Sequence, residues 1–263
     1  MSTALVRTER HGEGGHVAEI VLDRPEAMNA VSTQMAHALG RATKELSEDP
    51  TVRAVVVSST HPKAFCVGAD LKERNSFTDE ELRAQRPLAR AAYRGVLDLP
   101  VPVVAAVDGY ALGGGFEIAL SCDLVVCGDS AVVGLPEVSV GVIPGGGGTQ
   151  LLTRRVGWSR AARMVFTAER FSAADAHALG AVDEVVPAGT ARDRALELAT
   201  TIARHSPVGV RNAKAAMRLG FDTDLDAGLQ IEDERWAATA FSADRAEGVA
   251  AFNEKRPPVW PGR

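Results

Sequence analysis

Short apolar segments separated by turns fill the first part of the chain. Residues 17–22 alternate between apolar and polar side chains and predict a strand. Ser32 can cap a helix that runs to about Leu46, and the β-branched run 54–57 predicts a buried strand. Residues 101–107 predict another strand, whose prolines place it at a sheet edge or at the strand's start. The recurring order of strand, turn, short helix and strand indicates a coiled stack of β-β-α units rather than a simple doubly wound sheet.

Helical patterns dominate the later part of the chain. Residues 79–97 are polar and helical, and we expect Pro87 to interrupt that helix. A short helix is predicted from Gly114, followed by a strand over 124–127. Beyond about Pro187 consecutive helices are predicted, separated by proline, glycine and serine. Their expected spans are about 190–204, 207–219, 225–240 and 243–254. We therefore expect an α/β core over residues 1–188 and a helical region over 189–263.

Composition and charge narrow the class of protein. The chain of 263 residues is 46% hydrophobic but only 5% aromatic, so alanine, valine and leucine must fill its core. Its net charge of -5 and its lack of a long basic block argue against a broad nucleic-acid surface. Cys66, Cys122 and Cys127 lack the spacing of a zinc or CxxC site, which suggests reduced thiols in a cytosol. Residues 1–15 resemble no signal peptide, and no apolar run is long enough to span a bilayer, so we expect a cytoplasmic protein.

Two turns rich in small residues are the first candidate chemistry. Gly113, Gly114 and Gly115 precede a helical pattern, so unpaired N–H groups lie at a positive helix end that can hold an oxygen becoming negative. A triple glycine alone would more simply serve close packing. A second strand-to-helix turn, however, puts the small residue Ala69 in a similar position. The N–H groups of Ala69 and Gly114 could meet on one carbonyl oxygen.

Two glutamates are the second candidate chemistry. Glu117 lies in an otherwise apolar helix, and Glu137 lies between Leu135 and Val140 among residues that we expect to be buried. Desolvation would raise the pKa of both carboxyl groups toward the working pH, as general acid–base catalysis prefers. Two carboxyl groups on one cavity can move protons to and from a water molecule.

The motifs in their order resemble the crotonase, or enoyl-CoA hydratase/isomerase, superfamily over nearly the whole chain. The segments that carry this resemblance are 23–30, 64–72, 109–120, 134–137, 143–150 and 246–256. Within the superfamily the chain is most similar to enoyl-CoA hydratases and methylglutaconyl-CoA hydratases. The resemblance implies a spiral of β-β-α units whose C-terminal helical region, here 189–263, builds trimers that often pair into hexamers.

The resemblance also implies roles for single residues. Ala69 and Gly114 match the oxyanion-hole positions that hold a thioester carbonyl, and Glu117 and Glu137 match the two catalytic glutamates of hydratases. The residues that match CoA-binding positions are Ala69, Asp70, Leu71, Lys72, Phe252 and Lys255. The last two are expected to reach CoA bound in a neighbouring subunit of a homotrimer or dimer of trimers. CoA is then part of an acyl-CoA substrate, and no separate cofactor, metal, nucleic acid or membrane is expected.

Several other interpretations remain to be weighed. The glycine clusters lack the G-x-G-x-x-G spacing of a dinucleotide site, and residues 137–141 lack the first glycine of a serine hydrolase's nucleophile elbow. Isomerisation of a 3-enoyl to a 2-enoyl thioester needs one carboxylate, so the pair favours hydration. RNA binding is disfavoured by the acidic balance. The acyl group stays open, with residues 73–94 expected to shape its pocket and Arg74, Arg83 and Arg86 as candidate cations for a carboxylated chain.

Overall fold

Residues 4–263, which the computed structural model describes, form ten strands and eleven α-helices. The strands are β1 (Val6–His11), β2 (Val17–Leu22), β3 (Ala54–Ser59), β4 (Ala64–Cys66), β5 (Val103–Val107), β6 (Tyr110–Leu112), β7 (Leu124–Gly128), β8 (Val132–Gly134), β9 (Phe171–Ser172) and β10 (Glu184–Val186). The helices are α1 (Thr33–Glu48), α2 (Leu71–Asn75), α3 (Asp79–Leu97), α4 (Gly114–Leu120), α5 (Gly148–Val156), α6 (Trp158–Phe166), α7 (Ala173–Leu179), α8 (Ala191–Ala203), α9 (Pro207–Gly220), α10 (Leu225–Ala240) and α11 (Ala243–Glu254).

A six-stranded sheet forms one wall of the core, in the order β1-β2-β3-β5-β7-β10. Strand β1 runs antiparallel to β2, and the other neighbours are parallel. All six residues of β2 are buried, as expected for a strand covered on both faces. Strand β5 lies in the middle of the sheet and Pro102 directly precedes it, so the proline marks the strand's start rather than an edge.

A smaller sheet, in the order β4-β6-β8-β9, forms the second wall. Its strands β4, β6 and β8 are parallel, and their carboxyl ends therefore lie at one edge. From β3 to β8 successive strands alternate between the two sheets. Helices α2 and α3 follow the pair β3 and β4, and helix α4 follows the pair β5 and β6. This alternation is the coil of β-β-α units that the sequence predicts, and it gathers the ends of three parallel strands at one place.

Helix α8 is anchored to the large sheet by a stripe of small residues and by an ion pair with one buried carboxylate. The guanidinium of Arg192 donates two hydrogen bonds of 2.7 Å to the carboxylate of Glu19, which is fully buried within β2. Burial by itself raises the pKa of Glu19, but the bonds from Arg192 and Ser58 outweigh it and lower that pKa. The small residues that face the sheet are Ala191, Ala195, Ala199 and Ala203.

The structure adds one strand to those predicted from the sequence and corrects one expectation about a helix. The segment before residue 16 contributes the strand β1, which pairs with β2 along its full length. Pro87 does not interrupt α3, which runs unbroken over Asp79–Leu97. Pro87 has no N–H to donate to the carbonyl of Arg83, but this carbonyl lies on an exposed turn, where water can replace the missing hydrogen bond. A capping box between Thr78 and Glu81 also stabilises the start of the helix.

The C-terminal helices lie within a residue or two of their predicted bounds. Helix α9 packs chiefly on α10, and α11 contacts both of them. Helix α8 begins just after residue 189 but packs on the large sheet rather than on these helices. The division of the chain into residues 1–188 and 189–263 therefore stays a prediction. Among residues 4–263 no helix has both the length and the apolar character needed to cross a membrane.

Candidate active site

The first amide of the site belongs to Ala69, in the turn after β4. Val31 donates its N–H to the carbonyl of Gly68 over 2.7 Å, and Asp70 donates its N–H to the carbonyl of Val31 over 3.1 Å. This bridge uses the groups on either side of Ala69 and leaves the Ala69 N–H without an acceptor among the described residues. Gly68 has a φ of +92°, a value that favours glycine at the turn.

Asp70 fixes the other end of this turn. Its Oδ1 accepts hydrogen bonds of 3.1 Å from the N–H groups of Lys72 and Glu73 and so caps α2. Its Oδ2 accepts a 2.7 Å bond from Arg24. Burial works against ionisation, yet the bonds from Arg24 and the α2 amides lower the pKa of this carboxyl. Asp70 therefore supports the shape of the turn that carries Ala69.

The second amide belongs to Gly114, at the start of α4. Gly113 donates its N–H to the carbonyl of Gly134 over 2.9 Å, and α4 begins with the bond from the Glu117 N–H to the Gly113 carbonyl. The Gly114 N–H has no acceptor among residues 4–263. A Cβ on Gly68 would lie 3.0 Å from the Gly114 nitrogen, so the two turns are in direct contact. The structure therefore brings together the two predicted donors.

The neighbouring Gly115 serves the simpler purpose that the triple glycine also allowed. A Cβ at Gly115 would overlap the carbonyl of Cys66 in β4. The close approach of α4 to β4 therefore requires glycine at this position. Close packing therefore depends on Gly115, whereas the N–H without an acceptor among the described residues belongs to Gly114.

Glu117 projects from α4 toward a second glycine cluster, residues 145–148. Its Oε1 accepts hydrogen bonds of 2.7 Å from the N–H groups of Gly146 and Gly148. A Cβ on either glycine would lie 2.9 Å from this carboxylate. Burial raises the pKa of Glu117, and the two amides oppose that rise only in part. Sequence reasoning gave the second cluster no role, and the structure shows that it cradles this acid.

Glu137 follows β8 as the first residue of a short 3-10 turn, Glu137–Val140. The side chain is half-buried, and its Oε1 lies 2.9 Å from where a Cβ on Gly113 would be. Its Oε2 is buried without a hydrogen-bond partner among the described residues. Burial, and then the negative charge of Glu117, raise the pKa of Glu137 to about 7. This carboxyl group can therefore give or take a proton near neutral pH.

Helix α3 supplies two groups to the site, Tyr93, which was not singled out from the sequence, and Arg86, which was a candidate cation for the acyl group. The Tyr93 side chain is buried, and a Cβ on Gly114 would overlap its hydroxyl. Arg86, which lies seven residues before Tyr93 on α3, donates a 2.6 Å hydrogen bond to the carbonyl of Gly145. Its positive charge acts to lower the pKa of Glu117 and so offsets part of the rise that burial causes. The apolar pattern of α3 could have identified Tyr93, because it shares the helix's buried face with Ala89, Ala92 and Val96.

The three candidate cations differ in what they reach. The charge of Arg74 acts on Glu137, and that of Arg86 acts on Glu117. Arg83 is exposed and is not among the groups that shift either acid's pKa. Two of the three arginines therefore lie near the acids.

The residues predicted to bind CoA lie in two places. Leu71 and Lys72 are exposed at the start of α2, directly after Ala69. Phe252 is 84% exposed on α11, and Lys255 lies in left-handed conformation just beyond that helix. Helix α11 packs on α9 and α10 in its own chain.

The whole chain was compared with known families, curated proteins and solved structures. The family model described as Enoyl-CoA hydratase/isomerase matches residues 12–263. A probable mitochondrial enoyl-CoA hydratase 2 of Arabidopsis thaliana is 39% identical and covers 95% of this chain and 83% of its own length. The mitochondrial methylglutaconyl-CoA hydratase of Mus musculus is 40% identical and covers 96% of this chain and 82% of its own.

A solved structure gives the same result for the fold. The crystal structure of enoyl-CoA hydratase from Bacillus anthracis superposes with a TM-score of 0.95 at 38% identity and covers 98% of this chain and 100% of that one. The architecture, with its helical C-terminal region, is therefore the one that the sequence motifs predict.

Proposed function

The chain belongs to the enoyl-CoA hydratase/isomerase family, and from that premise we propose that it adds water across the 2,3 double bond of a 2-enoyl-CoA thioester. The observation that carries the proposal is the pair of acids with raised pKa, Glu117 and Glu137, beside the two unpaired amides of Ala69 and Gly114. Family membership supplies acyl-CoA thioesters as the substrate class. The geometry supplies the reason to choose hydration.

The two amides would bind the thioester oxygen. Attack of water at the β carbon moves electron density onto that oxygen and forms an enolate-like transition state. Donors that already point at this position stabilise the charge without reorganising, and the loss of one such donor costs roughly 100- to 1000-fold in rate. Because the N–H groups of Ala69 and Gly114 have no acceptor among the residues that the structure describes, both are available to the substrate.

The two acids would divide the proton transfers. The Oε1 of Glu117 is held by two amides, which leaves Oε2 to orient the attacking water and take its proton. Glu137 would deliver a proton to the α carbon, and the raised pKa of about 7 keeps a large protonated fraction available at neutral pH. Glu117 gains one proton from water and Glu137 gives one proton to the α carbon, so the two acids together end the reaction with the number of protons they held at its start. The apparent titration belongs to the pair rather than to either acid.

A second candidate is hydration of a carboxylated chain such as that of 3-methylglutaconyl-CoA. The nearness of Arg74 and Arg86 to the acids favours it, since a guanidinium can pair with a carboxylate of the acyl group. One similar protein is named a methylglutaconyl-CoA hydratase. Isomerisation of a 3-enoyl thioester is a weaker candidate because it leaves one of the two acids without a task.

Binding of the CoA moiety and assembly complete the proposal. Ala69, Asp70, Leu71 and Lys72 would line the CoA groove, and Phe252 and Lys255 would reach CoA in a neighbouring subunit. CoA enters as part of the substrate, and the mechanism uses no metal or other cofactor. The cytoplasmic location stays a prediction, and some relatives are named as mitochondrial.

The outer face of the C-terminal helices is consistent with a homotrimer or a dimer of trimers. Large apolar side chains there are more than half exposed in the single chain, and their burial would stabilise association. These residues are Met217, Phe221, Leu225, Trp236, Phe241 and Phe252. Light scattering on the purified protein tests the expected mass, and a monomer at all concentrations would contradict it.

Turnover of a substrate panel tests the activity. Loss of enoyl absorbance is followed with crotonyl-CoA, a longer straight-chain enoyl-CoA and 3-methylglutaconyl-CoA, and the products are identified by mass. We expect products heavier by one water. A folded protein that hydrates none of them, or that only interconverts 2-enoyl and 3-enoyl thioesters, would contradict the proposal. Preference for the carboxylated substrate, lost on Arg86→Met, would favour the second candidate.

A further inference from the structure

Tyr93 is a buried aromatic residue whose hydroxyl lies at the oxyanion side of the site. The residue is 5% exposed on α3. Its ring packs on the backbone of Gly146, where a Cβ would lie 2.8 Å from the ring. Its hydroxyl lies against Gly114, the residue that carries one of the two unpaired amides. The ring therefore spans the gap between the glutamate cradle and the oxyanion turn.

The residue is buried, but its hydroxyl oxygen makes no hydrogen bond with residues 4–263 and is not one of their fully enclosed polar atoms. A ligand in the site can therefore accept a bond from this hydroxyl, and a phenylalanine would fill the same space without offering the donor. Burial together with nearby negative charges, those of Glu117 and Glu137 included, raises the pKa of the phenol. The group consequently stays neutral and remains a donor over the whole working range of pH.

We propose that the Tyr93 hydroxyl donates a third hydrogen bond to the thioester oxygen, beside the N–H groups of Ala69 and Gly114. The inference rests on the proposed function only in taking a CoA thioester to bind at those two amides. As charge develops on the oxygen, this bond becomes a charge-assisted one and strengthens. Tyr93 would then touch the reacting group and act as a catalytic residue.

The test replaces only the hydroxyl. Tyr93→Phe keeps the ring against Gly146, and we expect an unchanged unfolding midpoint with a fall in kcat for crotonyl-CoA of about 10- to 100-fold. The chain has one other tyrosine, Tyr110, which is 40% exposed at the start of β6 and serves as the matched control. Tyr110→Phe should leave kcat unchanged.

A second readout separates this role from simple packing. Acetoacetyl-CoA carries a keto group whose enolate form absorbs strongly, and donors at the thioester oxygen favour the enolate over the neutral keto form. We expect Tyr93→Phe to lower the ratio of bound enolate to bound keto form about tenfold at a fixed pH. Changes in packing that leave the donors in place would not move this ratio.

Two results decide the inference separately from the proposed activity. If Tyr93→Phe keeps kcat within about twofold and leaves the enolate ratio unchanged, the third donor is refuted whatever the reaction is. If the wild type hydrates no enoyl-CoA but binds the enolate, and Tyr93→Phe lowers the ratio, the third donor stands and the hydratase proposal fails.

Discussion

Replacing Glu137 by glutamine is the sharpest test of the proposed chemistry. The change removes the proton that the carboxyl carries near neutral pH and keeps the shape of a half-buried side chain. General acid–base catalysis by one positioned group is worth about 100- to 10,000-fold, so kcat for hydration should fall by that factor. Glu80→Gln, an exposed position on α3, is the matched control and should keep the wild-type rate.

The same substitution should stabilise the fold at neutral and alkaline pH. The folded protein raises the pKa of Glu137 from its ordinary 4.5 to about 7, so the native state holds the proton more tightly than the unfolded chain. The stabilising contribution of this group is therefore complete below pH 4.5 and is lost as the pH rises through about 7. Above that pH the ionised carboxylate costs the wild type about 1 to 3 kcal/mol after allowance for partial exposure, and glutamine avoids this cost.

Three measurements test this reasoning together. Urea unfolding at pH 5 and pH 8 should show that the gain in stability of Glu137→Gln grows with pH. Wild-type hydration should fall above about pH 7 as the acid pair loses its shared proton, and dehydration of the 3-hydroxyacyl product should follow the same profile because it uses the same singly protonated pair. Near-normal turnover by folded Glu137→Gln, or a stability difference that shrinks as the pH rises, would refute the role assigned to this acid.

The structure makes three further predictions. Gly114→Ala keeps the backbone N–H, but its Cβ would overlap the Tyr93 hydroxyl and displace the turn that carries this amide. We therefore expect a loss of about 1 to 3 kcal/mol in unfolding free energy and, because the donor is misplaced, a fall in kcat of about 100-fold; a variant with wild-type kcat would argue against a catalytic role of this turn. Glu117→Gln keeps an oxygen for the two amides of its cradle, so calorimetry should show a near-normal midpoint while kcat falls about 100- to 10,000-fold; an active variant would exclude Glu117 as the base. Arg192→Met removes two hydrogen bonds from the buried carboxylate of Glu19 and leaves it with Ser58 and His11. Because Arg192 itself is 44% exposed, we expect a cost of about 1 to 3 kcal/mol in urea unfolding with little change in the kcat of the folded fraction; equal stability would show that this ion pair is dispensable.

Local pattern was enough to predict four of the ten strands and seven of the eleven helices of residues 4–263. The strand β2 lies within its predicted limits, and α10 and α11 have the predicted bounds, because Asp224 and Ser242 cap them through their own side chains. Strand β1 was missed because its segment is exposed and charged, and only pairing with β2 makes it a strand.

The chemistry of the site was partly visible in the same way. Motif resemblance pointed to Ala69, Gly114, Glu117 and Glu137, and the structure brings the two amides together and gives both acids a raised pKa. Tyr93 escaped notice because its position depends on how α3 packs over the glycine turns, and the distance along the chain hides that contact.

Local sequence patterns were sufficient for the recurring β-β-α order, the capped ends of the C-terminal helices and the residue types that proton transfer and oxyanion binding require. These features depend on interactions within a few residues, which a local pattern records. Only the folded chain shows that the amides of Gly146 and Gly148 hold Glu117, that the charge of Glu117 adds to the raised pKa of Glu137, and that Arg192 pairs with a carboxylate inside β2. Burial and charge pairing join groups far apart in the chain, so their effects on pKa arise only when the fold excludes water around them.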